Sequence, residues 1–194
     1  MRDIVWILAS YLIGCFTAGY YWMRWRTGQD IRQTGSGSVG ARNVGRALGA
    51  SGFAATFLLD AAKGAVAVAG AGWLQVRPAV VITSMVAVVM GHNWPVQLRF
   101  RGGKGIATSL GALVAYDPLI VLCLAVIFLP LVALLRSVTL SGLLALALGP
   151  LAVWRAGLGT AEVAATSALA LLTLITHRRK IREQIDRVVG RRET

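Results

Sequence analysis

Charge is scarce in this chain: only 14% of its 194 residues are Asp, Glu, Lys or Arg, against about a quarter in an ordinary soluble domain. With 56% apolar residues and a mean hydropathy of +0.66, too little polar surface remains to clothe a soluble fold, so apolar residues must face lipid. The two cysteines, Cys15 and Cys123, both lie inside apolar runs and offer neither a disulfide framework nor a thiolate metal site. The runs do not alternate with polar residues, which excludes a transmembrane barrel and leaves helices that satisfy their own backbone groups. Acidic residues number 8 against 20 Lys and Arg. The resulting charge of +12 does not point to nucleic acid, because the cations sit between apolar runs and in the tail.

Seven apolar segments can be drawn, at 4–23, 52–73, 78–90, 105–116, 118–135, 140–154 and 162–175. A full span needs about 20 residues, so the third and fourth must borrow from the glycine-rich stretches beside them. With seven crossings, sixteen Lys and Arg fall on one side and three on the other, leaving out Lys63 within the second segment. The positive-inside bias then puts the amino terminus outside and the tail in the cytoplasm. Leu12-Ile13-Gly14-Cys15 resembles a lipoprotein cleavage box. The apolar run continues to Met23, however, and Arg24 and Arg26 follow it rather than precede it, so an uncleaved helix is expected. The expected fold is all-α: one polytopic membrane domain over 1–194, with cytoplasmic loops near 24–51, 91–104 and 136–139 and a tail from 176.

The polar motifs gather in those loops. The longest runs from Gly35-Ser36-Gly37-Ser38 through Arg42-Asn43 to Arg46. Its glycines let backbone N–H groups approach an oxyanion, and Asn43 and Arg46 share a face if a helix starts there. A second, Gly91-His92-Asn93-Trp94-Pro95, leads through Arg99-Phe100-Arg101 into Gly102-Gly103-Lys104-Gly105. A lysine among glycines sets a point charge beside exposed donors, which suits phosphate, although the spacing is not that of a Walker A loop. Asp60 and Lys63, three apart within an apolar run, can pair across one helical turn. Arg136 with Thr139 and Ser141, and His177 with Lys180, form two smaller clusters. The basic residues from Arg178 onward read as topology anchors.

Jointly these residues resemble the acyl-phosphate-dependent glycerol-3-phosphate acyltransferases of bacteria, the PlsY family. Tyr11-Leu12-Ile13-Gly14, the Ser36 to Arg46 loop, Leu59-Asp60-Ala61-Ala62-Lys63-Gly64, Gly91-His92 to Pro95, Phe100 to Gly105, and His177 occur in that family's order and spacing. The resemblance implies a seven-span enzyme of the bacterial inner membrane with its site facing the cytoplasm. It would transfer a fatty acyl group from acyl phosphate to glycerol 3-phosphate, giving 1-acylglycerol 3-phosphate and phosphate. No coenzyme A, metal or other cofactor is implied, and a monomer is expected. His177, Ser36 and Lys104 would carry the chemistry. Gly37, Ser38, Asn43, Arg46, Lys63, His92, Gly102, Gly103, Gly105, Arg136, Ser141 and Lys180 would bind the substrates.

This chain departs from the family pattern in the expected pocket. Ser38 stands where Asn is usual, Arg42 where Thr is usual, and Lys180 where Asn is usual; Thr139 replaces a usual Ser. Acyl phosphate is already an activated anhydride, so positioning and charge neutralisation suffice. Bringing the hydroxyl to the acyl carbon is worth about 7–11 kcal/mol in near-attack geometry. The proton can pass to His177, to His92 or to substrate phosphate. No His is followed five residues later by Asp, since Gln97 and Arg182 occupy those places, which excludes a histidine–aspartate acyltransferase mechanism. The rival reading is a transporter of a phosphorylated anion, because broken helices and intramembrane charges also suit carriers.

Overall fold

The computed structural model describes residues 1–189, and every regular element among them is helical. Residues 190–194 of the expected tail, with Arg191 and Arg192, lie outside the described part. The order is α1 Arg2–Cys15, α2 Ala18–Thr27, α3 Ala41–Trp73, α4 Pro78–Asn93, α5 Ile106–Tyr116, α6 Pro118–Leu135, α7 Val138–Arg155 and α8 Thr160–Val189. All seven apolar segments are helical, and six stretches are long and apolar enough to cross a membrane. With 11 residues, α5 is the short one: at 1.5 Å per residue it reaches about 16 Å, half a bilayer core.

Three boundaries differ from the sequence reading, the third being the expected tail, which continues α8 as helix from 176 to 189. The segment 4–23 is broken at Phe16 and Thr17, both extended, so α1 and α2 are separate helices. A break in a buried helix frees carbonyls that need donors. Lys63 Nζ donates to Gly14 O at 3.1 Å and Phe16 O at 2.7 Å, and Gln97 Nε2 donates to Cys15 O. The cytoplasmic loop expected near 24–51 is helical from Ala41, and α3 breaks at Gly49. Gly49 has φ 74°, a left-handed conformation that glycine adopts without a Cβ clash.

Glycine contacts set the helix pairs. A Cβ on Gly14 would strike Val88 O, and one on Gly91 would strike Tyr11 O, so α1 and α4 cross backbone to backbone. The same holds where Gly64 of α3 meets Thr108 O and Gly111 of α5 meets Ala61 O. A shared apolar core containing Val68, Met85, Leu113, Leu124 and Leu169 joins α3–α8. Among the residues of α6 only Ile120 and Leu124 are buried, while Leu119, Leu122, Val126 and Leu129 are exposed, the pattern of a lipid-facing helix.

Candidate active site

At one end of the bundle three connections converge. Asp30 opens the first: Arg32 donates to both of its carboxylate oxygens, and this pairing holds the Asp30 carboxyl below the usual carboxylate range. Arg32 also donates to Leu98 O at 2.9 Å, which ties the first connection to the second. Asn43, in the first turn of α3, then closes the glycine-rich loop. Its Nδ2 donates toward Ile31 O, Thr34 O and Ser38 O, and its Oδ1 accepts from Ser36 N at 3.0 Å. Gly37, φ 69°, makes the turn that returns the loop to α3.

The second connection folds back beneath α5. Gly102 N donates to Asn93 O and Gly103 N to His92 O, so the loop lies along the last turn of α4. Arg99 and Phe100 both have positive φ, 54° and 60°, a strained pair of non-glycine residues leading into Gly102-Gly103-Lys104. Gly105, φ 82°, caps α5 without a side-chain partner, so the first N–H groups of that helix are left for an anion. The third connection is α8 itself, whose Thr176 Oγ1 donates to Lys104 O at 3.2 Å.

Together they enclose a cavity of about 420 Å³ lined by Ser36, Gly37, Ser38, Trp94, Gly102, Gly103, Lys104, Ile175, Thr176, Arg178 and Arg179. Six of the expected site residues therefore share one cavity. Burial holds the half-buried Lys104 ammonium below the usual lysine range; Glu183 opposes the shift, while Arg179 and Arg42 add to it. Arg42, Arg46 and Lys104 are close enough for their charges to act on Lys180. His177 is buried in α8, with Nδ1 2.8 Å from Thr173 O. That contact puts the proton on Nδ1 and leaves Nε2 as an acceptor.

Other residues stand apart from the cavity. Lys63 is not free to bind substrate: the residue is 6% exposed and its ammonium is surrounded by Asp60, His92 and two carbonyls. The Asp60–Lys63 pair across one turn is present at 2.8 Å. Asn43 acts as the clasp of its loop rather than as a ligand, because its carboxamide is already engaged. His92 is buried beneath Gly103. Arg136 is exposed at the turn from α6 to α7, and Ser141 is buried in α7. Lys180 borders a second, apolar groove of about 270 Å³ between α7 and α8, with Leu140, Leu143, Leu144 and Leu174.

The sequence reading gave no role in the site to Trp94, Thr176 or Gln97, and it took Arg178 and Arg179 only as topology anchors although both line the cavity. The spacing Thr173, Thr176, His177 on one helix was the available signal for Thr176. Among the described residues, no cluster of His, Cys, Asp and Glu has the makings of a metal site.

A family model described as glycerol-3-phosphate acyltransferase matches residues 4–187. "Glycerol-3-phosphate acyltransferase 1" of Desulfitobacterium hafniense (strain Y51) is 40% identical over 193 residues, covering 99% of this chain and 95% of that protein. "Glycerol-3-phosphate acyltransferase 1" of Bacillus thuringiensis subsp. konkukian is 41% identical over 77% of this chain and 82% of its own length. The crystal structure of the integral membrane acyltransferase PlsY (YgiH) in its glycerol 3-phosphate form superposes with a TM-score of 0.86, at 30% identity, over 100% of this chain and 95% of that one. Two looped cradles, a lysine at the foot of a short helix and near full-length similarity agree: the chain is a membrane acyltransferase belonging to the glycerol-3-phosphate acyltransferase family.

Proposed function

We propose that this enzyme transfers a fatty acyl group from acyl phosphate to the hydroxyl of glycerol 3-phosphate, releasing lysophosphatidate and phosphate without coenzyme A or a metal. One observation carries the reading: Ser36-Gly37-Ser38, Gly102-Gly103-Lys104 and the Thr176–Arg179 stretch of α8 bound a single cavity at the end of an apolar bundle. Two substrates that each carry a phosphate repel one another unless cations lie between them. Lys104, Arg178 and Arg179 line the space, with Arg42, Arg46 and Lys180 nearby. The bare N–H groups at the start of α5 add a dipole of the same sign.

In the reaction the acceptor oxygen forms an ester bond to the acyl carbon while the anhydride C–O bond breaks. The hydroxyl proton leaves to an oxygen of the departing phosphate. Ser36 and His177 orient the acceptor, and Lys104 neutralises the leaving group. The groove lined by Leu140, Leu143 and Leu174 suits the start of the acyl chain, whose remainder gains about 0.8 kcal/mol for each methylene kept in lipid. Seven crossings, with α5 completed by its flanking loop, put the cavity on the cytoplasmic face of the bacterial inner membrane, and the chain works as a monomer.

Protein purified into lipid and given palmitoyl phosphate with labelled glycerol 3-phosphate should produce labelled lysophosphatidate. Palmitoyl coenzyme A should not replace the donor. Movement of label across the bilayer without ester formation would favour the transporter instead.

A further inference from the structure

Beneath the cavity lies a buried charged group that the reaction above does not use. Asp60, Lys63 and His92 are 1%, 6% and 3% exposed and come from two helices, α3 and α4. Lys63 Nζ is 2.8 Å from Asp60 Oδ1, 2.8 Å from His92 Nδ1, 2.7 Å from Phe16 O and 3.1 Å from Gly14 O. Three of these contacts have hydrogen-bond geometry, those to Gly14 O, Phe16 O and His92 Nδ1, while Asp60 Oδ1 faces the nitrogen as its ionic partner without a hydrogen bond of its own. A charged ammonium has a proton for each of the three and the charge that the carboxylate answers, and it lies at the carbonyl end of α1, where a cation is favoured. With Lys63 charged, its contact with Nδ1 requires that nitrogen to accept, so the imidazole proton resides on Nε2. The alternative, a proton on Nδ1, would aim an N–H at an ammonium 2.8 Å away for the sake of Asp60 Oδ1 at 3.5 Å.

The far end of the same ring meets the phosphate loop. A Cβ added to Gly103 would fall on His92 Nε2, and Gly103 N donates to His92 O at 2.9 Å. Residue 92 therefore holds Gly103 twice, by its backbone carbonyl and by the tip of its ring. Lys104 follows directly, so the height of Gly103 sets where the ammonium and the first amides of α5 stand.

We propose that Asp60 and Lys63 lock His92 in its Nε2–H form as a post under Gly103, making this buried trio a positioning device for the phosphoryl cradle. It costs desolvation of three ionisable groups, which a plain apolar contact would avoid. What the charged version adds is a fixed ring orientation, because Lys63 also pins the break between α1 and α2. The inference rests on the phosphate site proposed above, and its test has to separate the two.

The chain has two histidines, so ¹⁵N-labelled protein in detergent, with His177→Gln to remove the second signal, reports His92 alone. The expected spectrum shows a neutral ring protonated at Nε2; a ring protonated at Nδ1 overturns the proposal whether or not the enzyme is active. Lys63→Met should release the tautomer and lower kcat/KM for glycerol 3-phosphate on the order of 10²-fold, chiefly through KM. A sharper reading comes from size. Gly103→Ala should weaken binding of inorganic phosphate, and His92→Ala added to it should restore part of that binding, because the smaller residue vacates the space the new methyl needs. Losses that simply multiply would overturn the post. If wild-type protein makes no lysophosphatidate, the parent reading fails, while the spectrum and the phosphate-binding cycle still judge the trio.

Discussion

Asn43 Oδ1 accepts the backbone N–H of Ser36 at 3.0 Å, across seven residues of glycine-rich chain. That bond, with three carbonyl contacts on the same carboxamide, converts a flexible stretch into one wall of the cavity. Asn43→Ala leaves those buried groups unpaired, at about 1–3 kcal/mol each where water cannot replace the bond. Thermal unfolding in detergent should fall, and KM for glycerol 3-phosphate should rise because Ser36 loses its place. Asn43→Asp, which keeps the acceptor but turns a carboxylate oxygen on the same three carbonyls, should be at least as damaging as alanine in both measurements.

Lys104 should dominate the chemistry. It is the lysine that lines the cavity, and it stands at the foot of α5 among amides that have no side-chain cap. Lys104→Ala should cost roughly 10²–10³-fold in kcat/KM, the scale of removing one preorganised charge donor, with little change in unfolding temperature. Normal turnover in that variant would remove Lys104 from the site.

The pH dependence carries two opposite signs. Burial holds Lys104 below the usual lysine range, so its charge is lost at a lower pH than that of a surface lysine. KM for the phosphate substrate should therefore begin to climb on the alkaline side before an ordinary lysine would titrate, and Lys104→Arg should flatten that limb. Stability of the empty protein should move the other way. Between the lowered and the ordinary value the unfolded chain binds more protons at this residue, so stability rises with pH there. Unfolding and KM measured over the same alkaline range test both signs.

Much of this was legible before the fold. Apolar runs located the helices, since lipid forbids any other way of satisfying the backbone, and glycines beside Ser36 and Lys104 marked two of the loops that bound the cavity. The placement of Lys63 was not legible. A pair with Asp60 follows from helical spacing, but the break at Phe16 that gives Lys63 two carbonyls is set by α4 packing against Gly14. The place of Arg178 and Arg179 in the cavity was hidden for a similar reason. Charge position along the chain gives the side of the membrane, whereas their place in the cavity depends on how α8 meets the Lys104 loop through Thr176. Gln97, 82 residues after the Cys15 carbonyl it meets, had no local signal at all.

The crossing of α3 and α5 should tolerate no side chain. A Cβ on Gly111 would strike the backbone of Ala61, which cannot rotate aside. Gly111→Val should destabilise by about 1–3 kcal/mol or more, and the surviving protein should lose activity because α5 carries the Lys104 loop at its start. Gly142→Val is the control, since a Cβ there meets open space.

Arg42 and Lys180 stand where the resemblance leads one to expect Thr and Asn. Their charges reach each other and Lys104, so they add to the field at the cavity without lining it. Partly solvated cations of this kind contribute about 0.2–1 kcal/mol each to holding an anion, and salt screens them over about 8–10 Å. Arg42→Thr with Lys180→Asn should therefore raise KM for glycerol 3-phosphate by about two- to thirtyfold at low salt. The gap should close as salt is added, with kcat unchanged. A loss of kcat that persists in high salt would mean that one of the pair touches the reacting atoms, and comparing Arg42→Thr and Lys180→Asn singly would show which.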